Sequence, residues 1–247
     1  MKNLAFIGPV ALLVIWALVS AFNLIDVFFL PSPWTTINEL WNLLYSKSIF
    51  PDVYATLYRI TVAFGLSVII GVPIGILLGS SEKIYRSVEF LIDFFRSTAP
   101  LALFPLFLII FGISDASKIA VSVFTASILI IFNVAYGIIH AKRTRRLAAQ
   151  IMGATKAQIF IHIMIWEGLP QTFTGLRTAL SWIMAVIVAT EMFVGSSTGL
   201  GHKIIDFQIT YNLPGVYATI LLTGFIGYLL NLLFVIIEKR FLHWSTR

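Results

Sequence analysis

Few side chains in this 247-residue sequence could do chemistry, and they are scattered. There are no cysteines, which excludes disulfides, thiolate metal ligands and thiol redox chemistry. The four histidines, His140, His162, His202 and His243, form neither an HExxH nor an HxH pattern, so structural or interfacial placement is favoured over a metal site. No GxxxxGK[ST] phosphate loop occurs, and the glycines around Gly75 to Ser81 lack the lysine such a loop needs. Hence the chain is not expected to hydrolyse ATP or to hold a cofactor. Glu191 is the exception worth following. It comes after Ala185-Val186-Ile187-Val188-Ala189-Thr190, where a carboxylate is costly and normally faces the protein interior or a water-filled cavity. With no buried ionisable partner evident in the sequence, a gate element or structural hydrogen-bond acceptor is favoured over a proton relay. Asn133, inside another apolar run, reads either as a pore-lining group or as a helix–helix hydrogen bond.

The elements that must position these residues are apolar. Hydrophobic residues make up 59% of the sequence and charged ones 11%, with a mean hydropathy of +0.94. A soluble domain carries roughly a quarter charged residues, so these runs must face lipid or one another. The predicted fold is all-α, a polytopic helical membrane protein with about six spans in one transmembrane domain over 1–247. Apolar runs place the spans at approximately 4–29, 54–79, 99–113, 119–140, 172–194 and 216–238. The first run, preceded by Lys2, resembles a signal peptide in its start. Its apolar character resumes after Ser20-Ala21, which favours a span. Pro31-Ser32-Pro33 stops that run, and Trp34 to Lys47 reads as an amphipathic interfacial helix. Residues 80–97 are too charged to span and are expected as a loop or surface helix.

A net charge of +6 reads here as topology rather than as affinity for nucleic acid. With the N-terminus inside, Lys2, Lys83, Arg86, Arg96, Lys142, Arg143, Arg145, Arg146, Lys156, Arg177, Lys239, Arg240 and Arg247 are cytoplasmic. Lys47, Arg59, Lys118 and Lys203 are outside, so thirteen basic residues face four and both termini are placed in the cytoplasm.

Two patterns go beyond topology. Gly71, Gly75 and Gly79 form a stripe on one helix face, read chiefly as a packing surface, and Pro73 among them allows a kink or a broken helix. The basic loop 141–170 continues from Arg143-Thr144-Arg145-Arg146 into Leu147-Ala148-Ala149-Gln150-Ile151-Met152-Gly153-Ala154-Thr155-Lys156. A short helix with two alanines presents a low surface, and Gly153 suits a C-terminal cap that lets a second helix begin at Thr155. Apolar residues recur at Ile159, Phe160, Ile163 and Met164 up to Leu169-Pro170. Such a pair of short helices on a membrane protein's cytoplasmic face is a docking element, with Ala148, Ala149, Gly153, Ala154, Thr155 and Ile159 as its contact residues.

This loop resembles the EAA loop of ABC-importer permeases, whose pattern is Glu-Ala-Ala, three residues, Gly, nine residues, then Ile-x-Leu-Pro. Ala148, Ala149, Gly153 and Ile163 match and Ile165 stands for the leucine, whereas Leu147 replaces the glutamate and Trp166 the proline. Further segments are similar to the nitrate/sulfonate/taurine branch of the type I importers: Leu30-Pro31-Ser32-Pro33, Gly71 to Gly79, Pro100 to Leu106 with Phe111-Gly112-Ile113, Leu169-Pro170 through Thr174-Gly175-Leu176-Arg177, Thr190-Glu191-Met192 and Gly199-Leu200-Gly201. The ordered resemblance covers about residues 28–244.

The resemblance implies a permease homodimer in the plasma membrane of a prokaryote (the inner membrane in a Gram-negative cell). It further implies two ATP-binding subunits holding ATP and Mg, and an extracytoplasmic substrate-binding protein. The implied cargo is a small solute such as nitrate, a sulfonate, taurine or bicarbonate, with pyrimidine-type vitamin precursors also admitted. An ion-coupled secondary transporter or channel is the competing reading. It predicts internal repeats or several intramembrane ionisable residues, and neither is evident in the sequence.

Overall fold

The computed structural model describes residues 7–26, 28–193 and 197–242; Lys2, His243 and Arg247 of the reading above lie outside them, as do parts of the expected first and fifth spans. The described residues form helices α1 (Ile7–Ala21), α2 (Pro33–Tyr45), α3 (Phe50–Gly79), α4 (Glu82–Ser97), α5 (Pro100–Phe111), α6 (Asp115–Ile139), α7 (Arg143–Ile151), α8 (Lys156–Ile159), α9 (Ile165–Phe193), α10 (Leu200–Ile209) and α11 (Leu213–Phe241), with a π-helical turn, Phe160–Met164, joining α8 to α9. Four continuous helices are long and apolar enough to cross a membrane: α3, α6, α11 and the run Lys156–Phe193. The chain is thus an all-helical membrane protein.

Several expected boundaries move, each for a local reason. The run placed at 4–29 is helical only to Ala21. Asn23 takes a left-handed conformation (φ 50°), and Leu24 and Asn23 donate back to the carbonyls of Val19 and Ser20, the hydrogen-bond pair that closes a helix. The Asp26 carboxylate then accepts the Phe28 amide at 2.8 Å, a turn that competes with any further helix. The span expected at 99–113 is α5, twelve residues or about 18 Å, short of the roughly 30 Å apolar core. It leaves α4 at 93°, so the two make at most one broken span or a re-entrant pair. Of the charged segment 80–97, residues 82–97 are helical. The inner face of α4 puts Tyr85 and Ile92 against Ala135 of α6, and Arg96 lies 4.1 Å from the centre of the Phe132 ring. The expected loop 141–170 ends early, because helix runs on through Pro170 to Phe193. Proline is tolerated within spanning helices when neighbouring groups re-satisfy the freed carbonyl. Likewise α3 is unbroken at Pro73, and α10 lies between the runs placed at 172–194 and 216–238.

The chain separates into two compact units, residues 1–56 with 191–226, and residues 57–190 with 227–247. In the first, Ser32 caps α2 by accepting the Thr35 amide, with Pro33 in the first turn where its missing N–H costs nothing. Trp16 donates to the Pro31 carbonyl at 3.0 Å and Tyr217 to that of Phe29 at 3.1 Å. The second unit has its core where Ile60 and Ala63 of α3, Ala126, Ile130, Val134 and Ile138 of α6, and Ala179, Ile183 and Ile187 of α9 meet. In lipid, helices associate through close packing rather than through a hydrophobic gain, so small residues decide the contact. A Cβ added to Gly71, Gly75 or Gly79 would lie 2.8, 2.6 or 2.9 Å from the Cβ of Ile130, Val134 or Ile138. Between α6 and α9 the same close approach occurs at Gly137 and Gly168, and Asn133 would meet a Cβ on Gly175 at 2.4 Å. In this way α6 is held between two neighbours.

Candidate functional site

The first candidate, the basic loop, is built from α7, α8 and the turn between them. Gly153 has φ +83°, the left-handed region, with no atom near enough to obstruct a side chain. Conformation, not crowding, therefore demands glycine here. The Gly153 amide donates to Gln150 and the Ala154 amide to Ala149, both at 3.0 Å, which closes α7 as a Schellman motif. One residue later Thr155 starts α8 with a capping box. Its hydroxyl accepts the Gln158 amide, and the Gln158 side chain accepts the Thr155 amide at 2.9 Å. These two caps fix the angle between the helices. Ala148 and Gly153 are exposed, Ala149 and Ala154 half-buried, and Thr155 is exposed but engaged in its cap. Ile159 is only 4% exposed and acts as the inward anchor. The projecting apolar residues are Ile151 and Met152, 87% and 82% exposed.

Glu167, which the sequence reading passed over, ties the loop to α9. Its carboxylate pairs with the Arg145 guanidinium and also accepts the backbone amide of Lys142, the residue that caps α7. A carboxylate at a helix start complements the macrodipole as well as satisfying an orphan amide. The contact spans twenty-five residues of chain, so neither spacing nor composition could reveal it.

The second candidate, Glu191, is 1% exposed and lies in a network within the first unit. The Thr56 hydroxyl sits 3.0 and 2.9 Å from the two carboxylate oxygens, and the Gly201 amide donates to Oε2 at 3.0 Å. Thr56 in turn accepts the Leu200 amide at 2.9 Å, while Asp52, 7% exposed, accepts the Gly199 amide at 2.8 Å. The start of α10 is thus capped by side chains from two other helices, and Gly199 (φ +135°) makes the turn into it. Asp52 is thus a second buried carboxylate at the same helix start, accepting at Gly199 while Glu191 accepts at Gly201. It lies just outside the apolar run beginning at Tyr54, so the sequence does not mark it as buried. In the other unit Arg59 is also buried and pairs with Asp115 at 2.8 Å, with Lys118 at 3.6 Å from the same oxygen. Cations counted only for topology are therefore structural partners.

Asn133 donates to the Leu129 carbonyl at 2.8 Å and accepts from Gln171 at 2.9 Å, which is a hydrogen bond between α6 and α9. The glycines Gly71, Gly75 and Gly79 lie on the α3–α6 contact. His202 pairs with Asp206 and His140 stacks on Tyr136, and the described residues hold no cluster of three or more His, Cys, Asp and Glu side chains suited to a metal ion.

The model of the binding-protein-dependent transport system inner membrane component family matches residues 71–243, well over half the chain. The chain belongs to that family. Among curated relatives of this permease, the formylaminopyrimidine transport permease protein ThiX of Halalkalibacterium halodurans is 32% identical over 238 residues, covering 96% of this chain and 93% of the relative. The taurine transport system permease protein TauC of Escherichia coli K12 is 29% identical over 244 residues, covering 96% and 88%. Nitrate import and aliphatic sulfonate permeases stand among the further relatives, which places the chain in the nitrate/sulfonate/taurine branch. Its fold is that of a permease chain in the inward-facing MetNI methionine ABC transporter. The TM-score is 0.65 at 24% identity, with 79% of this chain and 95% of that one covered. The protein is a permease subunit of an ABC importer, and the reading as an ion-coupled carrier or channel is set aside.

Proposed function

We propose that this permease acts as a homodimer driven by two ATP-binding subunits, each seated on the α7–α8 loop of one protomer, and that it passes a small solute delivered by an extracytoplasmic binding protein. The observation that carries the reading is the pairing of a rigid frame with exposed apolar side chains. Two capped helices meet at Gly153, Glu167 and Ile159 anchor them, and Ile151 and Met152 project from the tip. Apolar side chains so exposed on an interfacial loop suit a protein partner rather than water. A rigid loop transmits a rigid-body pull, and that pull biases the pore only if the ATPase contacts the loop differently in its two states.

The excess of basic residues on one side supports a cytoplasmic loop and cytoplasmic termini. Substrate class rests on the relatives' names, taurine for one and formylaminopyrimidine for another, and on the pattern of small, polar cargo they share. Glu191 is assigned as the acceptor that holds residues 199–201 in place, and Asn133 as a helix–helix hydrogen bond.

Gly153→Trp tests the docking reading. The variant is expected to insert into membranes at the wild-type level, yet to lose the co-purifying ATP-binding subunit and ATP-driven uptake. Normal uptake in that variant would remove the loop from the mechanism.

A further inference from the structure

Beside the loop, the second unit contains a cleft of about 400 Å³. Its lining includes Gly79 and Ile139, the last residues of α3 and α6, so it lies at the level where two membrane-spanning helices end. Phe160 adds apolar surface, and Arg143, Arg146 and Lys156 also line the cleft. Among the described residues none of these three cations takes part in an ion pair or a side-chain hydrogen bond. The acid on the lining, Glu82, is already engaged by Arg86 at 2.7 Å. Three uncompensated positive charges around one small volume repel one another, and a bound anion relieves that repulsion.

We propose that this cleft binds the phosphate of an anionic phospholipid headgroup. Two guanidinium forks match phosphate oxygens in a bidentate manner and the lysine adds a point charge. Basic pockets between spanning helices on the cytoplasmic side are suited to headgroups of this kind. The apolar part of the lining, Ile139, Phe160 and Met164, favours lipid over free phosphate, because glycerol and the first methylenes cover surface that inorganic phosphate leaves wet. Depth agrees, since helix ends and headgroups share the interface. Two of the three cations belong to α7, so an occupied cleft braces the same loop that Glu167 ties down from α9. The inference takes from the proposed function only the cytoplasmic side of the loop.

Native mass spectrometry on the full chain in detergent, supplied with phosphatidylglycerol, phosphatidylcholine or inorganic phosphate, tests it. Wild type is expected to retain phosphatidylglycerol but not phosphatidylcholine, and excess inorganic phosphate is expected not to displace it. Arg143→Gln/Arg146→Gln/Lys156→Gln is expected to bind the lipid about a hundredfold more weakly, and Lys156→Gln alone about fivefold, should the triple variant misfold. Lys239→Gln/Arg240→Gln, which removes charge from the end of α11, is expected to bind as wild type. Equal retention by the cleft variants overturns the proposal, as does displacement by inorganic phosphate, which would make the site one for the free ion. Loss of the lipid when the ATP-binding subunits assemble also overturns it, giving the cleft to that interface. Retention is measured without nucleotide or substrate, so it fails independently of the transport reading, which co-purification of the ATPase decides.

Discussion

Glu191 and Glu167 both serve as acceptors for backbone amides at helix starts, one at α10 and the other at α7. The consequences of removing them differ because their surroundings differ. Glu191→Ala leaves the Thr56 hydroxyl and the Gly201 amide without their buried partner, at about 2–3 kcal/mol. In a thermal melt in detergent the variant should unfold several degrees lower, and Glu191→Gln, which keeps one acceptor, should fall between it and wild type. Transport per folded molecule is expected to survive in Glu191→Gln. Lost transport at unchanged stability would instead make Glu191 a proton-handling group. Glu167→Gln keeps shape but loses charge-assisted bonding, a cost of about 1 kcal/mol because Arg145 is largely exposed and its pairing is screened by water. Its expected signature is local: faster hydrogen exchange over 142–151 with the α3–α6 contact unchanged. Uniform exchange in that segment would remove Glu167 as the brace.

At the scale of elements, the α3–α6 contact depends on glycine because side-chain carbons already occupy the space a Cβ would need. Gly75→Ala should destabilise by about 1–3 kcal/mol through overpacking against Val134, and Val134→Gly in the same chain, which removes the Cβ it meets at 2.6 Å, should recover part of that loss. No recovery in the double variant, followed by thermal unfolding, would show that the strain arises elsewhere. This stripe was legible in the sequence, since a spacing of four is a direct consequence of helix geometry. So were the two short helices at Gly153, because helix ends carry local signatures. The break between α4 and α5 was legible too, because Thr98 and Ala99 are extended ahead of Pro100. The continuation of helix through Pro170 was not legible, since tolerance of a proline inside a spanning helix depends on surroundings that a propensity argument on one segment does not contain. Asp52, Glu167 and Gln171 were missed for a related reason. Each acquires its role from a residue or segment far away in the chain, whereas Ile159, visible as a periodic apolar position, turned out to face inward.

For the whole molecule, composition alone marked a membrane protein, and the ordered motifs marked the permease family that the comparison with known relatives establishes. Neither says which solute passes, because relatives of similar identity carry names as different as taurine and formylaminopyrimidine. Coupling to ATP is the claim on which the rest depends, and it is concentrated on two side chains whose removal disturbs no internal packing. Ile151 and Met152 are exposed at the loop tip, so Ile151→Asp/Met152→Asp should leave folding and insertion intact. The direct measurement is the amount of ATP-binding subunit that co-purifies with the permease extracted from membranes. Wild type should retain it and the double variant should lose it at least about tenfold, at equal permease levels, as expected when charge is buried in an apolar contact. Equal recovery of the ATP-binding subunit with both proteins would contradict docking at the α7–α8 loop.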